Sequence, residues 1–296
     1  MKQQIKIGVC VAYDWYLLEH MLPLVYEHAD LICLSIDSNR ISWSQQSYSW
    51  DEKGFRDLID KIDIQKKIKC FEANFHNPDF TPGQNEVDQR RRIAEYMQPG
   101  GWHIQLDCDE YFLDFKGFVR YLRSLPISSS QGVNVCCPLV TLFKKIEGGY
   151  LWIQPDRRDH VEFIQIASTQ PTYDNGRRNG LFNLYTNFTV LHQSWARSSQ
   201  EIVDKINNWG HKNDFDTKAY FERWNGLTGN NFREMKNFHP MVPEVWSSLA
   251  FAPGDTIADI IQNPPAIDLR WSAIDFVMKN NRTLSRIKGL WHRLTR

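Results

Sequence analysis

"WHIQLDCDEYF", residues 102–112, runs a strand-like segment directly into Asp107, Asp109 and Glu110, three carboxylates within four positions. Without partners each pair would repel by roughly 3 kcal/mol, taking about 5 Å and an effective dielectric near 20. Two arrangements relieve that cost: a solvated turn that opens a helix, or a divalent cation held between the acids. The segment before the cluster belongs to a longer rhythm, and that rhythm decides the fold. "IKIGVCVAY" (5–13) is a continuous apolar, β-rich run, and "YLLEHMLPLVYEHAD" (16–30) follows with Leu17, Met21, Leu24 and Val25 as a helical stripe. "LICLSID" (31–37) and "IKCFEANF" (68–75) read as further strands. "NEVDQRRRIAEYM" (85–97) reads as a helix with Val87, Ile93 and Met97 inward, and "FKGFVRYLRSLP" (115–126) as a helix ending before Pro126.

Strands alternating with helices predict an α/β protein, a mostly parallel sheet flanked by helices. In open sheets of that kind ligands bind beyond the carboxyl ends of the strands. Tyr13-Asp14, Asp37-Ser38 and Asp107–Asp109 all fall at such ends, so three segments converge on one edge. The second half is less regular. "GVNVCCPLV" (132–140), "VEFIQIA" (161–167) and "LYTNFTVLH" (184–192) read as strands, and "SQEIVDKINNW" (199–209) as a helix with Ile202 and Ile206 inward. Beyond residue 212 the pattern is helical and loop-like, punctuated by Pro240, Pro243, Pro253 and Pro264-Pro265. The organisation expected is a main α/β domain over 1–212 with a helical region, 213–296, packed on it.

At 296 residues the chain can bury a sizeable core. Lys+Arg and Asp+Glu both number 35, so no net charge draws the molecule to nucleic acid. An aromatic fraction of 13%, with 11 Trp, suits a groove for ring-shaped ligands and equally an aromatic-rich core. The six cysteines, at 10, 33, 70, 108, 136 and 137, include no C-x-x-C pair, so neither a zinc site nor a disulfide framework is expected. Thiols in apolar runs and the lack of a signal-peptide pattern point to a reducing cytoplasm, where the sequons at Asn187 and Asn281 carry no meaning. No apolar stretch approaches the roughly 20 residues that a membrane span requires.

A D-x-D triplet is weak by itself, since about one is expected by chance in a chain this long. Asp214-Phe-Asp216 is a second, and it opens a polar helix where capping explains it. Asp107-Cys-Asp109 differs in standing behind a strand and ahead of an aromatic-rich helical stretch. Hard cations such as Mg²⁺ or Mn²⁺ take oxygen ligands, commonly one or two carboxylates plus substrate phosphate. Asp109 is the expected metal ligand, and Asp107 is better placed for a metal-bound water or a ribose hydroxyl. His192 ends "TVLH", where ligation competes with a hydrogen-bonded structural role, and His211 competes with it for the site. Arg197 and Lys205 follow, to pair with a diphosphate or to lie on a solvated helix face.

Together these segments resemble nucleotide-sugar-dependent glycosyltransferases of the GT-A fold, in particular bacterial family 2-like members. "IQLDCDEYF" looks like their D-x-D segment, and "NEVDQRRRIAEY" is similar to the helix before it. "LHQSWARSSQEIVDKINNWGH" resembles a C-terminal element whose His closes the metal site, and "NFHP" with "VPEVW" looks like the tail of these enzymes. The resemblance covers roughly residues 5–250. It implies a GT-A-like fold with a C-terminal helical appendage and a Mn²⁺ or Mg²⁺ cofactor. It also implies a nucleoside diphosphate sugar donor, UDP-linked, and a glycan or lipid-linked acceptor in surface polysaccharide or lipopolysaccharide synthesis. By the same resemblance Ala12 and Tyr13 would lie against the base, Asp37 would bind base or ribose, and Arg90 would face the nucleotide. Asp107 would hold the ribose, and Asp109 and His192 the metal. Asp14-Trp15 stands where relatives often show Asn-Glu, Ile36-Asp37-Ser38 where a double Asp is common, and Arg91 where Asn is usual. Those departures bear on the base and the sugar rather than on the fold.

Inverting sugar transfer needs a carboxylate to take the acceptor proton, whereas a retaining enzyme needs no such base, and the sequence is compatible with either. "QPDRRDHVEF" offers Asp156, Asp159 and Glu162, with Asp174 further on; Asp159 is the first candidate and Glu162 the next, each against an ordinary ion pair with Arg157 or Arg158. The C-terminal "NRTLSRIKGLWHRLTR" holds five Lys and Arg, no acid, and a stripe of Leu284, Ile287, Leu290, Trp291 and Leu294. Such a helix can lie on anionic lipid at the inner face of a membrane or dock on its own domain. Two rivals remain: a sugar-phosphate nucleotidyltransferase, whose Gly-rich basic phosphate loop "GVCVAYDWYLLEH" lacks, and a catalytically inactive glycan-binding protein on the same scaffold.

Overall fold

Four strands run parallel in the order β3-β2-β1-β4: β1 (Ile5–Val11), β2 (Leu31–Asp37), β3 (Ile68–Ala73) and β4 (Trp102–Asp107). The coordinates are a computed structural model that describes residues 3–126, 132–157, 160–208, 215–269 and 271–284. β1 and β2 are buried on both faces, which is why they read as unbroken apolar runs rather than alternating ones. Ile5, Ile7, Val9 and Val11 pack with α1 (Leu18–Val25) and α4 (Phe115–Ser124), while Cys10 and Cys33 face Ile93 of α3 (Pro82–Tyr96) and Met97 at its C-cap. α2 (Glu52–Ile62) adds Phe55 to the first of these cores. Gly8 lets α3 lie close on β1, since a Cβ there would come within 2.5 Å of Ile93. α3 begins three residues before the expected Asn85, because Thr81 and Gln84 form a reciprocal capping box with Pro82 in the first turn.

The rest of the sheet is mixed. β8 (Phe163–Ser168) runs antiparallel between β4 and β6 (Val133–Ile146), followed by β7 (Gly149–Gln154) and β11 (Ser248–Pro253). The α/β architecture with its parallel half-sheet and helical cover is the one expected. Two details differ. The 184–192 segment is two strands, β9 (Phe182–Tyr185) and β10 (Val190–His192), both parallel to β6. β9 pairs as far as Cys136 and β10 resumes at Leu139; Pro138 between them has no N–H to give a ladder.

The region after 212 is not wholly helical, since β11 extends the sheet beside β7. Its sequence, "SLAFAP", has weak strand propensity, so the pairing edge of β7 is what makes it a strand. Around it Phe143, Trp195, Trp224, Phe238 and Trp246 form a second aromatic core with α5 (Ser199–Asn208) and α6 (Thr217–Asn225). Asp216 caps α6, accepting from the Ala219 N–H at 3.0 Å, as its reading as a cap requires; Asp214 lies outside the described residues. α7 (Ile257–Gln262) and α8 (Ala273–Asn280) complete the order. All six cysteines are free, and no described helix is long and apolar enough to cross a membrane.

Candidate functional site

Register aligns the carboxyl ends of the parallel strands: Cys10 is level with Asp107, Val11 with Ile36, and Asp37 with Ala73. Beyond that edge opens a cavity of about 460 Å³, walled on one side by Ala12, Tyr13, Trp43 and Tyr48. Asp107, Cys108 and Asp109 border the same cavity, in the turn between β4 and the short strand β5 (Glu110–Phe112). β5 pairs antiparallel with β10, which sets His192 across from Glu110 and lets the Gln193 N–H donate to the Asp109 carbonyl at 2.9 Å. The expected convergence of three strand ends is therefore present.

The crowded acids are neutralised by the chain itself. Asp107 pairs with Arg90 at 2.9 Å and with Arg177 at 2.8 Å. Arg177 also grips Glu110 at 2.9 Å, and the Glu110 carboxylate in turn accepts the Asp107 backbone N–H at 3.0 Å. Asp109 is contacted by Arg197 at 2.5 Å, His192 at 3.5 Å and Lys205 at 3.5 Å, and Arg197 reaches on to Asp14 at 3.1 Å. Burial alone would push the Asp109 carboxyl up; His192, Lys205 and Arg197 outweigh it and hold the group well below the usual carboxylate range. Asp14 and Glu110 go the other way, because burial raises them by more than Arg197 and Arg177 lower them.

Asp107 has the same contest between burial and its partners, and Arg177 and Arg90 win, holding its carboxyl at about 2 against the ordinary 3.8. A depressed carboxylate contributes stability that is present above its unfolded pKa and lost as pH falls through the folded one. The acid loss from Asp107 should therefore fall between 3.8 and about 2. Urea unfolding followed from about pH 5 to about pH 2 should show a shallower acid loss in Arg177→Met than in the parent chain. An unchanged slope would mean that Arg177 does not hold Asp107.

Several expected contacts are placed otherwise. Arg90 is 1% exposed and does not line the cavity; it is spent on Glu86, Gln105 and Asp107, behind the carboxylate rather than toward a nucleotide. Asp37 borders the cavity, but one carboxylate oxygen accepts from the N–H of Asn39 and Ile41 and the other from those of Phe75 and His76. Four backbone donors fill its lone pairs, so Asp37 ties the β2 and β3 ends together and can reach a base or ribose only by giving some up. Arg91 donates to the Tyr173 carbonyl at 2.6 Å and anchors the loop that carries Arg177. That loop is a tight turn, Asn175 to Arg178, with Gly176 at φ +54°; nothing periodic in "YDNGRRNG" marks Arg177 as a partner of Asp107.

Among the base candidates, Asp159 lies outside the described residues, as does His211. Asp156 pairs with His160 at 2.8 Å and accepts from Ser247 at 2.6 Å, and it does not line the cavity. Glu162 does, with its side chain open to the cavity yet crowded by protein, so desolvation raises its carboxyl while His192 and Arg178 oppose the rise. Among the described residues no group of three or more His, Cys, Asp and Glu is arranged for a metal ion. Asp109 and His192 nevertheless face the cavity 3.5 Å apart, and the His192 Nδ1 is buried with no hydrogen-bond partner. A hard cation that also binds a diphosphate asks for no more protein ligands than that pair supplies, provided Arg197 and Lys205 yield their hold on the same oxygen.

The chain matches no protein-family model and no curated protein. Solved structures are similar in part, two of them as follows. One is S. aureus TarS 1-349, at 10% identity and a TM-score of 0.28 over 49% of this chain and 37% of that one. The other is a mannose-1-phosphate geranyltransferase from Thermus thermophilus, at 8% identity and a TM-score of 0.29 over 76% of this chain and 65% of that one. This chain spans less than two thirds of either, and likenesses this weak carry no functional argument.

Proposed function

We propose that this chain is a glycosyltransferase that moves a sugar from a nucleoside diphosphate, UDP by preference, to a glycan or lipid-linked acceptor in surface-glycan synthesis. One observation carries the reading. A single cavity at the carboxyl ends of β1, β2 and β4 brings together an aromatic wall, two cations bound to Asp109, and Glu162. Tyr13, Trp43 and Tyr48 supply the surface against which a base packs, with Asp107 at the ribose. Arg197 and Lys205 turn from Asp109 to the incoming diphosphate, and a cation held at Asp109 would take over the carboxylate charge they leave. A Mn²⁺ or Mg²⁺ ion held by Asp109 and His192 would supply further neutralisation of the departing diphosphate. Glu162 takes the proton of the acceptor hydroxyl, and its raised carboxyl makes it a stronger base than an ordinary glutamate. Most of the acceleration then comes from positioning and from charge stabilisation of the leaving group.

A nucleotide-sugar panel tests this directly. Hydrolysis of one nucleoside diphosphate sugar is expected, with calorimetric affinity for the matching diphosphate falling at least about tenfold in EDTA, or roughly 1.4 kcal/mol. No binding or turnover across the panel would overturn the reading. Equal affinity with and without EDTA would remove the metal and leave the cation pair as the diphosphate site.

A further inference from the structure

Among the described residues, the contacts that bind α8 to the domain lie along one side. Phe276 packs on Trp271 with centroids 4.9 Å apart, Trp271 stacks on Phe163 at 4.5 Å, and Asn280 exchanges two hydrogen bonds with the Tyr185 backbone at 2.7 and 2.9 Å. Lys279 lies over the Trp271 ring at 4.3 Å on the same side. Ile274, Val277 and Met278, spaced i, i+3 and i+4, occupy the other side and are 71%, 66% and 54% exposed. Ser272 and Asp275 cap the helix reciprocally, so this apolar face is built on a well-started helix and held at a set orientation to the sheet. Asn281 then accepts from the Thr283 and Leu284 N–H groups, the arrangement that opens a new helical turn, and Leu284 is 40% exposed.

The charge that follows Asp275 in the sequence is of one sign. No Asp or Glu follows Asp275, while Lys279, Arg282, Arg286, Lys288, Arg293 and Arg296 do. Residues from 285 on, including the rest of the apolar stripe read from the sequence, lie outside the described residues. Four apolar side chains fall far short of the roughly 1,200–2,000 Å² that a specific protein interface buries. A second copy of the same face would also bring like charges together. An anionic bilayer suits both features, since shallow insertion of a few apolar side chains and attraction of basic ones to lipid phosphate are what hold interfacial helices.

We propose that the outward face of α8, formed by Ile274, Val277 and Met278 and continued by Leu284, docks on an anionic lipid surface. The docking is independent of the cavity's chemistry and would hold the molecule against the membrane by its C-terminal side. The test is co-sedimentation of the full chain with vesicles of phosphatidylcholine containing about 30% phosphatidylglycerol, beside pure phosphatidylcholine vesicles. Binding is expected on the anionic vesicles and should weaken with added salt. V277D and M278D should each reduce it at least about tenfold, because a carboxylate on the face opposes both insertion and the lipid charge. I64D, a change at an isolated exposed residue of 83% exposure, should leave it unchanged. Each of these sites is at the surface, and matching circular dichroism melts would show that the variants are folded. No vesicle binding, equal binding to neutral vesicles, or parental binding by V277D and M278D would overturn the proposal. So would a dimer, seen by light scattering, that V277D dissolves while vesicles are ignored, because the face would then belong to a second copy.

Discussion

Glu162→Gln should lower sugar transfer by about 10²–10⁴-fold while leaving diphosphate affinity within about twofold. The substitution keeps the volume and polarity of a side chain that lines the cavity and removes only its ability to accept a proton. Because desolvation by the protein crowded around it raises the Glu162 carboxyl above the ordinary 4.5, a base at this position loses its proton above that value. The parent kcat/KM should therefore fall toward acid pH along a limb displaced upward from the ordinary glutamate range, and the residual activity of Glu162→Gln should lack that limb. Steady-state rates with donor and acceptor across pH, paired with calorimetry of the diphosphate, separate the two effects. Equal loss of binding and of turnover would mean that Glu162 holds substrate rather than moves a proton.

Arg197→Met should destabilise the fold by about 3–5 kcal/mol near neutral pH, the cost of stranding a buried charge. Arg197 is 5% exposed and is shared between Asp109 at 2.5 Å and Asp14 at 3.1 Å, so its removal leaves two carboxylates with, among the described residues, Lys205 and His192 near them. The sign with pH follows from the groups left behind. Asp14 is already raised by burial, and without Arg197 both carboxyls move up. A raised carboxyl contributes stability below its unfolded pKa and loses it as pH rises through the folded one. The deficit of the variant should thus be largest near about pH 7 and shrink toward about pH 4. Adding Asp109→Asn should restore part of it, since removing both partners strands less charge than removing one. Urea unfolding of the three chains at both pH values measures this, and a single variant within about 1 kcal/mol of the parent would show that water already screens the cluster.

Much of the framework was legible along the chain. Strand and helix leave different periods, so the alternation through β4 and α4, the strand-end positions of Ala12, Asp37 and Asp107, and the inward residues Ile93 of α3 and Met97 at its C-cap could all be read locally. The capping role of Asp216 was legible too, because a cap involves only its own turn. β11 was not, since a short segment of Ala, Phe and Pro becomes a strand only beside the free edge of β7.

The charges divide the same way. That Asp107, Asp109 and Glu110 need neutralising follows from their spacing alone. Which groups neutralise them does not: Arg177 stands 67 positions from Glu110 and Arg197 stands 88 from Asp109. Arg90 and Asp37 sit where expected along the chain, yet Glu86, Gln105 and Asp107 bind one and four backbone amides bind the other. Spacing in sequence reports which face of a strand or helix a side chain occupies, within a turn or two. The partner of a charge is chosen by distance in space, and over 60 or more positions (67 and 88 here) that distance is set by sheet order, register and a loop anchored by Arg91.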